Sequence, residues 1–104
     1  MAETAVSRNH VPIRLTGERW AHIVEEHSEL AGMREEVLEA VEFPERVVAG
    51  NAGELLAIRH IEPGKVFVVV YREISSKDGF VITAFVTSRL ESLNRRAQLW
   101  PPRA

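Results

Sequence analysis

The sequence predicts an α+β fold, with two N-terminal helices packed on one face of a four-stranded antiparallel sheet. Three observations lead there. Between residues 17 and 43 apolar side chains recur every three to four positions, the period of a helix. After Pro44 the period becomes two, the period of a strand. The alternating stretches are separated by short Gly-containing turns, which join neighbouring antiparallel strands.

Residues 1–10 are polar and expected to be loose, so that residues 11–101 form a single domain. Residues 11–15 read as a short strand, with Pro12 near its start, where a missing N–H is tolerated. Thr16 is the expected N-cap, because its hydroxyl can accept an orphan backbone N–H. The first helix follows over residues 17–29, with Trp20, Ile23, Val24 and His27 on one face. Residues 28–32 break it. A second helix covers residues 33–43, with Leu30, Arg34, Val37, Leu38 and Val41 near one stripe. Pro44 ends it, since a proline ring disfavours helix at the residue before it.

Four strands are expected over residues 46–49, 54–61, 66–72 and 80–87. The third is the most apolar and should be central. Pro63-Gly64 and Asp78-Gly79 supply turn chemistry between them. Residues 88–100 are polar and Arg-rich, and the periodicity assigns them no element.

Composition narrows the function classes. With 45% hydrophobic and 27% charged residues, the chain is an ordinary globular one. It has no Cys, which excludes a disulfide framework, a zinc-thiolate site and a thiol nucleophile. The longest apolar run, residues 66–71, is far short of the roughly 20 residues of a membrane helix. The N-terminus lacks the apolar region of a signal peptide. A cytoplasmic protein with no membrane contact is expected.

Charge is segregated along the chain. Residues 18–45 carry nine acids and two bases. Residues 46–104 carry nine bases (Arg46, Arg59, Lys65, Arg72, Lys77, Arg89, Arg95, Arg96, Arg103) against five acids. Helices favour Glu for propensity and solubility, which accounts for the acidic half. The basic half can attract a polyanion such as RNA while the acidic helices face away.

His22 and His27 are the first candidates for chemistry. They lie five residues apart, about 140° around a helix, so they do not form the i, i+4 pair of a zinc helix. No metal site and no cofactor is expected. His27 sits on the apolar face and His22 on the polar one. A histidine at a seam with solvent access can act as general acid or base near neutral pH. Arg59, flanked by apolar residues in a strand, either snorkels at an edge or projects into a site. Alternation places Leu55, Ala57, Arg59 and Ile61 on one face, and Leu56, Ile58 and His60 on the other. In the last strand it places Val81, Thr83, Phe85 and Thr87 together. Thr83 and Thr87 fit a strand with or without a function, and Tyr71 fits a core aromatic with its hydroxyl at a rim. Taken together, His, Arg, Thr and Tyr make up the inventory for cleaving RNA without a metal. That reaction needs a base for the 2′-hydroxyl proton, a cation for the phosphorane charge and an acid for the leaving oxygen.

The segment Ile13-Arg-Leu-Thr-Gly-Glu-Arg-Trp-Ala-His-Ile-Val-Glu-Glu-His-Ser-Glu-Leu30 resembles the start of small phage and bacterial proteins of the barnase–EndoU–colicin E5/D–RelE-like (BECR) nuclease family. The likeness continues through Gly53-Glu-Leu-Leu-Ala-Ile-Arg59, Val68-Val-Val-Tyr-Arg-Glu73 and Gly79-Phe-Val-Ile-Thr-Ala-Phe-Val-Thr87, and ends near Leu99-Trp100-Pro101. Ser28 departs from it, since proline is expected after His27 in this family. The resemblance implies a metal-independent endoribonuclease, often a toxin, with RNA as substrate and an antitoxin or immunity protein as partner. By matching positions it implies His22, His27, Arg59, Thr83 and Thr87 as site residues, with Tyr71 as a further one. The alternative is a catalytically inactive RNA- or protein-binding module of the same fold.

Overall fold

Both sequence periods become structure, but the sheet they build is larger than expected. The structure, a computed structural model, describes residues 2–102. Arg103, one of the nine bases of the second half, lies outside the described residues. The strands are β1 (Ala2–Val6), β2 (Pro12–Thr16), β3 (Arg46–Ala49), β4 (Leu55–Glu62), β5 (Lys65–Ser75), β6 (Asp78–Thr87) and β7 (Gln98–Trp100). The helices are α1 (Gly17–Glu26), α2 (Arg34–Glu42) and α3 (Leu90–Asn94), with a single 3₁₀ turn at Ser28–Leu30.

The expected four-stranded antiparallel sheet with two helices is therefore corrected. Seven strands form one mixed sheet in the order β1-β2-β6-β5-β4-β3-β7. Neighbours are antiparallel except β2 and β6, which are parallel. The β3–β6 meander is the part that short turns dictate. The additions are held by longer-range contacts. Residues 1–10, expected to be loose, supply β1, whose Thr4 and Ala5 pair with Arg14 and Ile13. Buried Ser7 ties this hairpin to β5: its hydroxyl donates to Glu73 at 2.6 Å, and Asn9 Nδ2 donates to the same carboxylate at 3.0 Å. Arg34 on α2 bonds to Glu3 and donates to the Leu15 carbonyl at 3.1 Å. Residues 88–100 supply α3 and the edge strand β7.

Thr16 caps α1 as its position suggests, accepting the Arg19 N–H at 3.1 Å. Ile23 is the α1 side chain that enters the core fully, with Trp20 packed beside the core. From α2, Val37, Ala40 and Val41 are buried. Together with Ile13, Leu15, Leu30, Leu55, Ala57, Phe67, Val69 and Tyr71 they fill the main core, between the helices and one sheet face. The other face carries a second cluster, Val48, Leu56, Ile58, Val66 and Val68, closed by Leu93 of α3. The expected alternation along β4 is borne out by this division.

In β6 the expected alternation fails at one point. Thr83 pairs with Val70 and Val81 with Tyr71, so Ile82 is a bulge. Val81 joins the main core, whereas Thr83 and Phe85 lie opposite Val70 and Val68, on the α3 side.

The parallel join depends on Gly79. A Cβ there would lie 2.5 Å from the Arg72 carbonyl oxygen and 2.6 Å from Ile13 Cδ1. Backbone cannot yield as a flexible side chain can. Gly79→Ala is expected to destabilise the protein by about 1–3 kcal/mol, read as a lower denaturant midpoint. An unchanged midpoint would show that β2 does not need so close an approach.

No described helix is long and apolar enough to cross a membrane.

Candidate functional site

The two sheet faces are unequally covered. α1 and α2 cover one. On the other, α3 covers the β3–β4–β5 side, and the β2–β6 side is left to half-buried and exposed residues. Arg14 and Thr16 of β2, Phe80 and Thr83 of β6 and Arg72 of β5 make up this open half, while Val70 and Phe85 border it, packed with Leu90 against the second cluster. Their placement follows from register: Arg14 pairs with Phe80, Phe80 with Arg72, and Thr83 with Val70.

β2 leaves β6 after Arg14↔Phe80. Among the described residues, the C-terminal half of β6 therefore has no strand on that side. α1 continues from β2 and packs against this edge. Its C-cap, His27, is half-buried, and the imidazole centroid stands 6.3 Å from that of Phe85 at an interplanar angle of 38°. His27 Nδ1 is 3.8 Å from a Glu29 carboxylate oxygen. Thr83 and Thr87 flank Phe85 at two-residue spacing on the same sheet face, about 7 Å away along the strand.

The other expected site residues lie elsewhere. Arg59 is on the helix-covered face, where it donates to the Phe43 carbonyl at 2.6 Å and stands 3.8 Å from Glu39. It is thus the edge residue of the two readings, anchored to the C-terminal end of α2. Arg59 pairs with Phe67, and Phe67 with Val86. Arg59 is therefore level with the His27–Phe85 contact but two strands away, roughly 10 Å between backbones. His22 is exposed and lines a shallow cleft with Thr16, Glu18 and Arg19. Tyr71 is 1% exposed in the main core. Burial pushes its phenol well above the ordinary value, and the Glu73 charge adds to this, so it remains protonated and out of reach of a ligand. Thr87 Oγ1 accepts the Arg89 N–H at 3.0 Å. The structure thus sets His27 against Phe85, with Thr83 and Thr87 two residues to either side of it on the strand, and places Arg59, Tyr71 and His22 elsewhere.

A second histidine grouping lies at the seam between α2 and β4. Glu45 accepts from the His60 backbone N–H at 2.7 Å and meets His60 Nδ1 at 2.8 Å. These contacts hold the Glu45 carboxyl below its usual value, the ring contact most and the backbone bond next. Sequence reading placed His60 only on a strand face with Leu56 and Ile58 and did not single out Glu45. Register holds the missing signal. Counting back from the Gly50–Gly53 turn pairs Arg46 with Ile58, which brings Glu45 level with the end of β4. The cleft beside them is lined by Glu36, Glu39, Arg59 and His60 over Met33, Ile61 and Phe67. Two carboxylates on its rim, with Glu45 behind His60, make it a poor host for a phosphate.

The bases do not share one face. Arg59 is on the helix side. Arg72 borders the open half, and Arg46, which donates to Asn94 at 2.6 Å, lies beside α3. Arg89 and Arg95 flank α3 and line a cleft of about 470 Å³ with Ser88 and Ser92. The seven acids from Glu25 to Glu42 lie on and between α1 and α2.

No protein-family model, no curated protein and no solved structure matches the chain.

Proposed function

We propose that the chain is a metal-independent RNA endonuclease whose reaction takes place at the strand-free edge of β6. The observation that carries this reading is the His27 imidazole beside Phe85, with Thr83 and Thr87 on the same strand and face. The resemblance of the Trp20–His27 and Thr83–Thr87 segments to BECR nucleases supports it.

In this reading His27 accepts the proton of a ribose 2′-hydroxyl, and the 2′-oxygen attacks the adjacent phosphorus. The P–O5′ bond breaks, and the leaving oxygen takes a proton from water. The products are a 2′,3′-cyclic phosphate and a 5′-hydroxyl. Glu29, 3.8 Å from Nδ1, stands beside the imidazole as a charge beyond hydrogen-bond distance. The Thr83 hydroxyl donates to a non-bridging phosphate oxygen. Arg59, which the helix side retains, does not supply the cation. His22 meets substrate outside the reacting phosphate, beside Arg19. As a toxin, such an enzyme implies a neutralising antitoxin or immunity protein.

The test is cleavage of end-labelled RNA by the purified protein in excess EDTA. The expected result is discrete fragments. Binding of RNA without any cleavage would replace this reading with that of an inactive RNA-binding module.

A further inference from the structure

The arginines around α3 divide into two kinds. Arg46 and Arg96 hold the helix in place. Arg46 donates to Asn94 at 2.6 Å, and Arg96 donates to the Ala49 carbonyl at 3.2 Å and to Asn51 Oδ1 at 2.8 Å. With Leu93 buried beneath the helix, these bonds fix α3 against the sheet. Arg89 and Arg95 make no such bonds. Among the described residues, the Arg89 guanidinium has neither a hydrogen-bond nor an ion-pair partner, although its backbone is fixed. Its N–H donates to Thr87 Oγ1 at 3.0 Å, and its carbonyl accepts from Ser92 Oγ at 3.3 Å. Arg95 has Glu91 at 3.9 Å, with both side chains largely exposed, so water screens the pair.

Both of these arginines line the cleft of about 470 Å³ that opens between α3 and the β4–β5 turn at Gly64. A cleft of that volume suits a small organic ligand. Leu90 gives it an apolar wall, backed by the second core cluster. Glu91 is the one acid of the lining, so the two arginines leave a single positive charge uncompensated. The helix end itself supplies little, because the Leu90 N–H already donates to the Ser88 carbonyl at 3.0 Å. Recognition therefore falls to side chains. A guanidinium presents paired N–H groups that match the two oxygens of a carboxylate. One such anion brings the lining to neutrality, and an apolar body beside it covers Leu90.

We propose that the α3 cleft binds a small organic acid, with its carboxylate on Arg89 and Arg95 and its apolar body against Leu90. The cleft shares no lining residue with the His27–Phe85 edge, so this site stands or falls apart from the endonuclease reading.

The experiment titrates the intact, nitrogen-15-labelled protein with 4-phenylbutyrate and follows the amide chemical shifts. Shifts are expected at Gly64 and over residues 88–95, saturating with a Kd on the order of 1 mM, the scale for a ligand of about a dozen heavy atoms. Acetate lacks the apolar body and 4-phenylbutylamine reverses the charge; each is expected to bind at least about tenfold more weakly. Arg89→Gln and Arg95→Gln should each weaken 4-phenylbutyrate binding about two- to fivefold, the range for one exposed charge contact. Lys77→Gln removes the same charge in the β5–β6 turn, at the opposite end of these strands, and should leave the affinity unchanged. Thermal melting of each variant shows that it is folded. Acetyl-glycyl-phenylalanine is titrated alongside. Tighter binding than 4-phenylbutyrate assigns the carboxylate to a peptide terminus and weaker binding to a free acid, and either sustains the site. Equal binding of the amine overturns the proposal. So do shifts scattered away from the cleft, an affinity unchanged in both arginine variants, or no saturable binding of 4-phenylbutyrate.

Discussion

Replacing His27 by Ala lowers RNA cleavage by about 10²- to 10⁴-fold, the usual contribution of a positioned general base. The expectation rests on geometry. The imidazole is half-buried at the end of α1, faces Phe85 at 6.3 Å and has Glu29 at 3.8 Å on its other nitrogen. A His27→Gln variant keeps volume beside Phe85 and should lose as much, which separates proton transfer from packing. His22→Ala should cost less than about tenfold, because His22 lies in the shallow cleft with Arg19 and not beside Thr83. Arg59→Gln should leave the rate at saturating RNA near wild type and lower the melting temperature. Its guanidinium bonds the Phe43 carbonyl, so the loss frees the last turn of α2. Initial rates on one labelled RNA, with melting curves for every variant, check all four. If His27→Ala cleaves as well as wild type, the reaction does not take place at the edge of β6.

Ile23→Ala is the substitution expected to cost most stability, about 2–5 kcal/mol. Ile23 is 1% exposed and is the residue of α1 fully inside the main core. The helix is otherwise held by its Thr16 cap and by Trp20 at the margin of that core. In a domain of this size the loss lowers the melting temperature by about 10 °C or more. It also predicts a functional consequence. His27 reaches Phe85 only because α1 lies along the strand-free edge of β6, so a loosened α1 displaces the imidazole. Ile23→Ala should therefore lose cleavage at temperatures where it is still folded, while a core change away from α1, such as Val48→Ala on the α3 side, loses stability alone. Denaturant titration paired with cleavage rates at 20 °C separates the two. Equal activity per folded molecule in both variants would show that α1 docking does not position the histidine.

How much of this was legible in the sequence differs from element to element. The switch of period at Pro44 marks the border between α2 and the meander. The Thr16 cap, the Ile23 stripe and the β3–β6 turns are all local signals. β1 carries none: its five residues, Ala2–Val6, include two polar side chains, and what anchors the turn after them is Glu73, on a strand more than 60 residues away. The parallel β2–β6 join is equally silent, because its requirement is a missing Cβ at Gly79, a residue that reads as turn chemistry. α3 and β7 were hidden by the arginines that flank them, such as Arg96, which donates to the Ala49 carbonyl at 3.2 Å.

The site was legible in the same partial way. A histidine at the end of an apolar helical stripe suggests a seam, and His27 lies at one. Arg59 was conspicuous for its apolar neighbours, but the Phe43 carbonyl and Glu39 that account for it belong to another element. The bulge at Ile82 is what sets Thr83 on the same side as Phe80, and no residue type there announces it. The net charge of −2 conceals an open half whose arginines come from β2, β5 and α1, three separate stretches of chain.

The most direct test of the central claim is the chemistry of the cut ends. In excess EDTA, wild-type protein is incubated with one RNA sequence in unmodified and fully 2′-O-methylated form, and the products are weighed by mass spectrometry. Cleavage by a His27-activated 2′-hydroxyl predicts fragments from the unmodified RNA alone, with 2′,3′-cyclic phosphate and 5′-hydroxyl ends. Intact RNA in both reactions, or fragments that carry 5′-phosphate and 3′-hydroxyl ends, would contradict it.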